Sequence, residues 1–210
     1  MNSRIVEIFE DESLAKRIRR KLPSLFTLAE VESARAGKIG MEVVSLRERI
    51  IVALLIYKFG EENVETAIPI TEPEVDARVF GKPISIKTIT GKSFAGVKLI
   101  WTVDPHKAEE FRENYYPTCD ILLVQINWNA NGGLYYIPVD AQKRLFERIG
   151  RRNYIKLPKP GTNPRGAEIT KEALSTLVRD SDSKCIIMNW HKIAMPFNPY
   201  NRWVDLWRDD

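Results

Sequence analysis

The chain has 210 residues, 44% of them apolar, a formal net charge of +4, two cysteines and two histidines. That length supports one substantial core with at most a small subdomain. The longest apolar run, Ile50 to Tyr57 behind Arg47-Glu48-Arg49, falls far short of the roughly 20 residues of a membrane helix. No secretory signal opens the chain, so a cytoplasmic protein is expected. Cys119 and Cys185 are too sparse for a zinc motif and are expected as buried free thiols, and His106 and His191 cannot build a histidine-rich site. Hard oxygen ligands remain, and with so modest a net charge any polyanionic partner has to be argued from where the charges lie.

In chain order, an N-terminal amphipathic helix carries Lys16-Arg17-Ile-Arg19-Arg20-Lys21 together with Glu7, Glu10, Asp11 and Glu12, the mixed charge of a solvated face. Ile39-Gly40-Met41-Glu42 opens a long helical pattern through Val43 and Leu46 to Phe59, with Gly60 as its stop. Glu42 falls in the first turn, where the helix dipole favours a carboxylate. Thr66 to Pro73 is extended and delivers Glu72, Glu74 and Asp76. Val75 to Val79 and Ile84 to Ile89 are predicted as neighbouring strands joined by the turn Gly81-Lys82-Pro83, which brings Asp76 and Lys87 together at one sheet end. A carboxylate there holds Mg²⁺ with waters and phosphate oxygens, and the lysine orients or deprotonates an attacking water. The plain alternative is a hairpin with an exposed acid and base.

Strands are predicted from Val97 to Val103 and Ile121 to Trp128, separated by a helix from Pro105 to Tyr116 with Asp104 as its N-cap. Asn131-Gly132 is a hairpin signal leading into a strand from Leu134 to Pro138. Asn127, Asn129 and Asn131 either satisfy turn geometry or project from one strand face towards base edges. Nine basic residues fall between Lys143 and Lys171 against Glu147 and Glu168, including Arg151, Arg152, Lys156, Lys159 and Arg165. The Pro- and Gly-rich loop within this segment suits phosphate contact, with Asn163 or Arg165 reading bases, or else is a solvated linker. A further strand-helix pattern covers Ala167 to Thr170 and Lys171 to Arg179, followed by a strand from Lys184 to Trp190. The aromatic, proline-rich tail beyond it packs on the core, meets a second subunit, or reaches DNA through His191, Lys192 and Arg202. Met41 and Met195 sit beside loops, in the core or between base steps.

The order helix with acid, strand with Asp76, turn, strand with Lys87 resembles the PD-(D/E)XK nuclease superfamily and, within it, the type II restriction endonucleases, over roughly residues 37 to 128. Ile84-Ser-Ile-Lys-Thr and Val97-Lys-Leu-Ile-Trp-Thr-Val-Asp104 are more closely similar to blunt-cutting enzymes of the ThaI type, which act on CGCG. The resemblance implies an α/β fold, a mixed central β-sheet flanked by helices, in a single domain 1–210 whose residues 129–210 add DNA recognition and dimer contacts. It implies Mg²⁺-dependent hydrolysis of double-stranded DNA to 5′-phosphate and 3′-hydroxyl ends. Asp76 and Glu42 then hold metal and Lys87 positions water. Ser85 stands where the second acid is expected, so Glu42, Glu74, Asp104, Glu109, Glu110 and Glu113 stay open as replacements. Cutting both strands calls for two copies, hence a homodimer on a palindromic site. A structure-selective resolvase or repair nuclease, or a DNA-binding protein that has lost catalysis, are the competing readings.

Overall fold

The run Asp120-Ile-Leu-Leu-Val-Gln-Ile126 has no polar alternation, and a strand of that composition is stable only with both faces covered. In the computed structural model, which describes residues 3–35, 38–40, 42–69, 71–72, 74–94, 96–158, 166–193, 198 and 200–208, all seven of these residues are buried at the centre of the sheet. The order is α1 (Val6–Glu10), α2 (Glu12–Glu32), β1 (Ala34–Arg35), β2 (Lys38–Ile39), α3 (Val43–Phe59), β3 (Val64–Glu65), β4 (Ala77–Val79), β5 (Lys82–Thr90), β6 (Val97–Lys98), α4 (Pro105–Asn114), β7 (Asp120–Ile126), β8 (Ala130–Ile137), α5 (Val139–Ile149), α6 (Arg151–Tyr154), β9 (Ile155–Lys156), β10 (Glu168–Ile169), α7 (Lys171–Leu177), β11 (Lys184–Trp190) and α8 (Asn201–Arg208).

The main sheet runs β11-β8-β7-β5-β4-β3. Among the strand pairs of this sheet in the described residues, β5 and β7 pair in parallel, with α4 in the connection between them, and the others are antiparallel. The expected mixed central sheet flanked by helices is present. Because side chains alternate across each strand, Ile84, Ile86, Leu122 and Val124 meet α1 to α3 on one face, where Ile18, Phe26, Ile51 and Leu55 are buried. Ile89, Ile121, Leu123 and Ile137 meet Leu145, Phe146, Tyr154, Leu174 and Leu177 on the other. No helix among the described residues is long and apolar enough to cross a membrane.

Four expectations are corrected. The hairpin turn is Phe80-Gly81, with φ of 50° and 75°, the paired positive values of a two-residue turn that follows the strand twist. Lys82 and Pro83 therefore belong to β5, and Pro83 lies before the pairing with β7 begins at Ile84. The strand expected from Val97 to Val103 shortens to Val97–Lys98 and joins a separate small sheet, β6-β10-β9. β8 begins at Ala130, so Asn127 and Asn129 lie in the turn, not on a shared strand face with Asn131. Cys119 is buried but Cys185 is exposed, since β11 is an edge strand covered on one face only.

Gly132 is buried where β8 passes under the indole of Trp190: a Cβ there would collide with the Gln125 carbonyl oxygen and stand 2.7 Å from Trp190 Nε1. Gly132→Ala is expected to cost about 1–3 kcal/mol through overpacking, read as a lower denaturation midpoint; an unchanged midpoint would contradict this packing.

Candidate active site

The pairing of β4 with β5 ends at Ala77–Ile84, with the Asp76 N–H donating to Ile84 O at 2.9 Å as the chain swings away. Two residues on, the Ile86 amide points to the edge that β4 has left, and a buried donor there needs a partner. Asp76 supplies it: Oδ2 accepts from Ile86 N at 2.6 Å, from Ser85 Oγ at 3.4 Å and from Lys87 Nζ at 3.5 Å. Ser85 and Lys87 are two residues apart on β5 and share a face. Ser85 is only 3% exposed, and its hydroxyl steadies the Asp76 carboxylate.

Two further acids reach this centre. Glu48, half-buried on α3, is close enough for the charges of Asp76 and Lys87 to act on its carboxyl, which burial first and Asp76 second push above the usual range. Glu74 is pushed up to about 7 by burial, against the opposing pull of Lys87. Glu42 is the exposed N-cap residue of α3 and lines a cleft with Glu32, Ser33, Ser45, Leu46 and Arg49. Helix phase explains this: Glu42 is nine residues, about two and a half turns, before the sheet-facing Ile51, whereas Glu48 precedes Ile51 by three and Leu55 by seven. The downstream acids are engaged elsewhere. Asp104 caps α4 by accepting from His106 N at 2.9 Å, and Glu109 and Glu113 flank Arg112 on the α4 surface, where Glu110 is also exposed.

Glu74 sits against Tyr115, Cys119 and Tyr154, and burial pushes the Cys119 thiol up to about 12, so it is an inert neutral group. Glu74 Oε1 is buried without a hydrogen-bond partner. Among the described residues no three His, Cys, Asp or Glu side chains form a ready-made metal cage. Asp76, Glu48 and Glu74 offer hard oxygens and an orphaned buried acceptor, which fits an ion that keeps waters and takes phosphate oxygens for the rest of its shell.

The residues expected at DNA are more scattered. Asn127 Nδ2 donates to Asn131 O at 2.9 Å, Asn189 Nδ2 to Asn131 Oδ1 at 3.4 Å, and Asn129 takes a φ of 64° in the turn. Arg151 is spent on structure, donating to Tyr115 O at 3.3 Å and lying over the Phe146 ring. Arg152, Lys156, His191 and Arg202 are exposed. Met41, Lys159, Asn163, Arg165 and Met195 lie outside the described residues.

A family model described as restriction endonuclease ThaI matches residues 8–209. The chain belongs to the ThaI restriction endonuclease family. It is also similar to a solved structure described as a restriction endonuclease in complex with substrate DNA, with a TM-score of 0.93 and 56% identity over 99% of this chain and 100% of that one. No curated protein matches. This ThaI-family chain is thus a type II restriction endonuclease, a site-specific deoxyribonuclease of a class that uses divalent metal ions. The resolvase and noncatalytic readings are set aside.

With its carboxyl raised from 4.5 to about 7, Glu74 holds a proton in the folded state that the unfolded chain releases. Metal-free protein therefore loses stability as pH rises from about 4.5 to about 7, and a metal that displaces the Glu74 proton is expected to bind more strongly across the same window. Glu74→Gln is expected to flatten both dependences, measured by thermal melts and metal titrations between pH 5 and 8; slopes equal to wild type would contradict the assignment.

Proposed function

We propose that Asp76, Glu48 and Glu74 hold Mg²⁺ and that Lys87 orients the water that attacks phosphorus in line, breaking the bond to the 3′ oxygen and leaving 5′-phosphate and 3′-hydroxyl ends. When bound, Mg²⁺ polarises the phosphoryl oxygen and lowers the pKa of a coordinated water. Lys87 Nζ stands beside the same carboxylate oxygen as Ser85, so it is held next to the place where the nucleophile has to sit. Ser85 binds no metal in this reading; it fixes the rotamer of Asp76. The observation that carries the reading is the single Asp76 oxygen shared by Ile86, Ser85 and Lys87, together with a buried, unpartnered Glu74 oxygen within reach of the Lys87 charge.

Duplex DNA is the substrate, reached in the cytoplasm, and the exposed cations Arg152, Lys156, His191 and Arg202 suit its phosphates. The whole chain acts as a single domain, with the core at 37–128 and residues 129–210 serving recognition and pairing. We further propose a homodimer, since one centre per chain cuts one strand at a time. The amphipathic helix α8 supports a second copy as partner: Trp203, Leu206 and Trp207 lie on one face at helical spacing and are 56%, 56% and 88% exposed. An apolar face with two indoles is costly to leave in water.

Lys87→Ala is expected to lower cleavage of unmethylated phage DNA by at least about 10²-fold while DNA binding in EDTA stays near wild type; full activity in this variant would sink the role. Trp203→Ser with Trp207→Ser should give a monomer in sedimentation and slow double-strand cutting, and an unchanged dimer would refute the part given to α8.

A further inference from the structure

One buried anion on α2 gathers three distant parts of the chain. Glu30 is 4% exposed, and its Oε1 accepts from Arg47 Nη2 at 2.6 Å and from Trp128 Nε1 at 2.8 Å. Its Oε2 pairs with Lys192 Nζ at 2.8 Å. Arg47, itself 6% exposed, lies over the Phe26 ring and reaches Thr90 Oγ1 at 3.5 Å. A buried ion pair is weak support for stability, because apolar residues of similar volume often serve as well. Fixed donor and acceptor geometry does, however, hold elements in one arrangement, as charge-assisted bonds are short and directional.

The arrangement held here is the one the reaction needs. Arg47 precedes Glu48 on α3, so the rotation of α3 that Arg47 locks also decides whether Glu48 faces Asp76 and Lys87. Its second contact, Thr90, follows Lys87 by three residues on the same strand, about 10 Å along it, so Arg47 ties the helix bearing Glu48 to the strand bearing Lys87. Trp128, beside Asn127 and Asn129 in the β7–β8 turn, and Lys192, beside His191, are tethered to the same carboxylate.

We infer that Arg47, anchored on Glu30, is a positioning residue that sets where Glu48 stands over the Asp76–Lys87 centre and thereby sets the enzyme's affinity for its metal. The inference rests on Glu48 acting as a metal-site acid, and the experiment separates the two. Cleavage of phage DNA is followed over a Mg²⁺ series for the full-length wild type, Glu48→Ala, Arg47→Met and Arg47→Lys, with circular dichroism as a fold check and DNA binding measured in EDTA.

Arg47→Met is expected to keep DNA binding within about twofold and to raise the half-saturating Mg²⁺ by about 10–100-fold, the size of effect seen when support around a metal ligand is removed. Much of the rate should return at saturating Mg²⁺, and Arg47→Lys should fall between. A wild-type Mg²⁺ midpoint in both Arg47 variants, with Glu48→Ala shifted, overturns the positioning role alone. An unshifted midpoint in Glu48→Ala overturns the reading of Glu48 beneath it. If Arg47→Met does not fold, Thr90→Val removes only the tether to β5; a raised midpoint there supports the inference, and an unchanged one overturns it.

Discussion

Where β4 parts from β5, the backbone amide of Ile86 loses the ladder partner it would otherwise have had, and the carboxylate of Asp76 takes that place at 2.6 Å. This one bond fixes the Asp76 carboxylate more firmly than packing alone would, because a buried amide left unpaired costs about 1–3 kcal/mol. Ser85 and Lys87 then follow from strand geometry, one on either side of Ile86 and on the same face. The divergence of two strands creates both the vacancy and the acid that fills it.

Two glutamates, one buried and one half-buried, show how the fold treats negative charge in opposite ways. Glu30 is surrounded by Arg47, Lys192 and the Trp128 indole, so its charge is neutralised and its oxygens are occupied. Glu74 has an unpartnered buried oxygen and a carboxyl raised to about 7. The first arrangement holds elements together; the second stores an electrostatic deficit that a cation relieves. Such a deficit within reach of the Lys87 charge suits the divalent-ion site proposed above.

Much of this was legible in the sequence because it is written in local spacing. Asp76 and Lys87 flank a turn, Asp120 to Ile126 reads as a central strand, and Asp104-Pro105 and Thr170 announce helix starts that the fold uses. The proximity of Glu48 to the Asp76 and Lys87 charges was not legible in the same way. Apolar residues encircle α3 almost completely, so no polar stripe reveals its phase, and Glu42 in the first turn satisfies the dipole argument better than Glu48 does. A stricter signal was present in the i, i+3, i+7 spacing of Glu48, Ile51 and Leu55. Phe80 at a positive φ and the early start of β8 depend on strand pairing across the sheet, which no short window contains.

Ser85 matters for the same reason as Glu48. A serine in place of a second motif acid would leave a lone aspartate if the rest of the site came only from the hairpin. The fold instead puts Glu74 from the preceding segment and Glu48 from the helix within reach of the Lys87 charge, and in the function proposed here these two restore the acid count from outside the strand. The most direct measurement of this is anomalous diffraction from Mn²⁺ in crystals of the protein with the DNA it cuts. A metal peak bound by Asp76 together with Glu48 or Glu74, next to Lys87, is expected; a peak held by Glu42, or by Asp76 with an acid from α4, would contradict these roles.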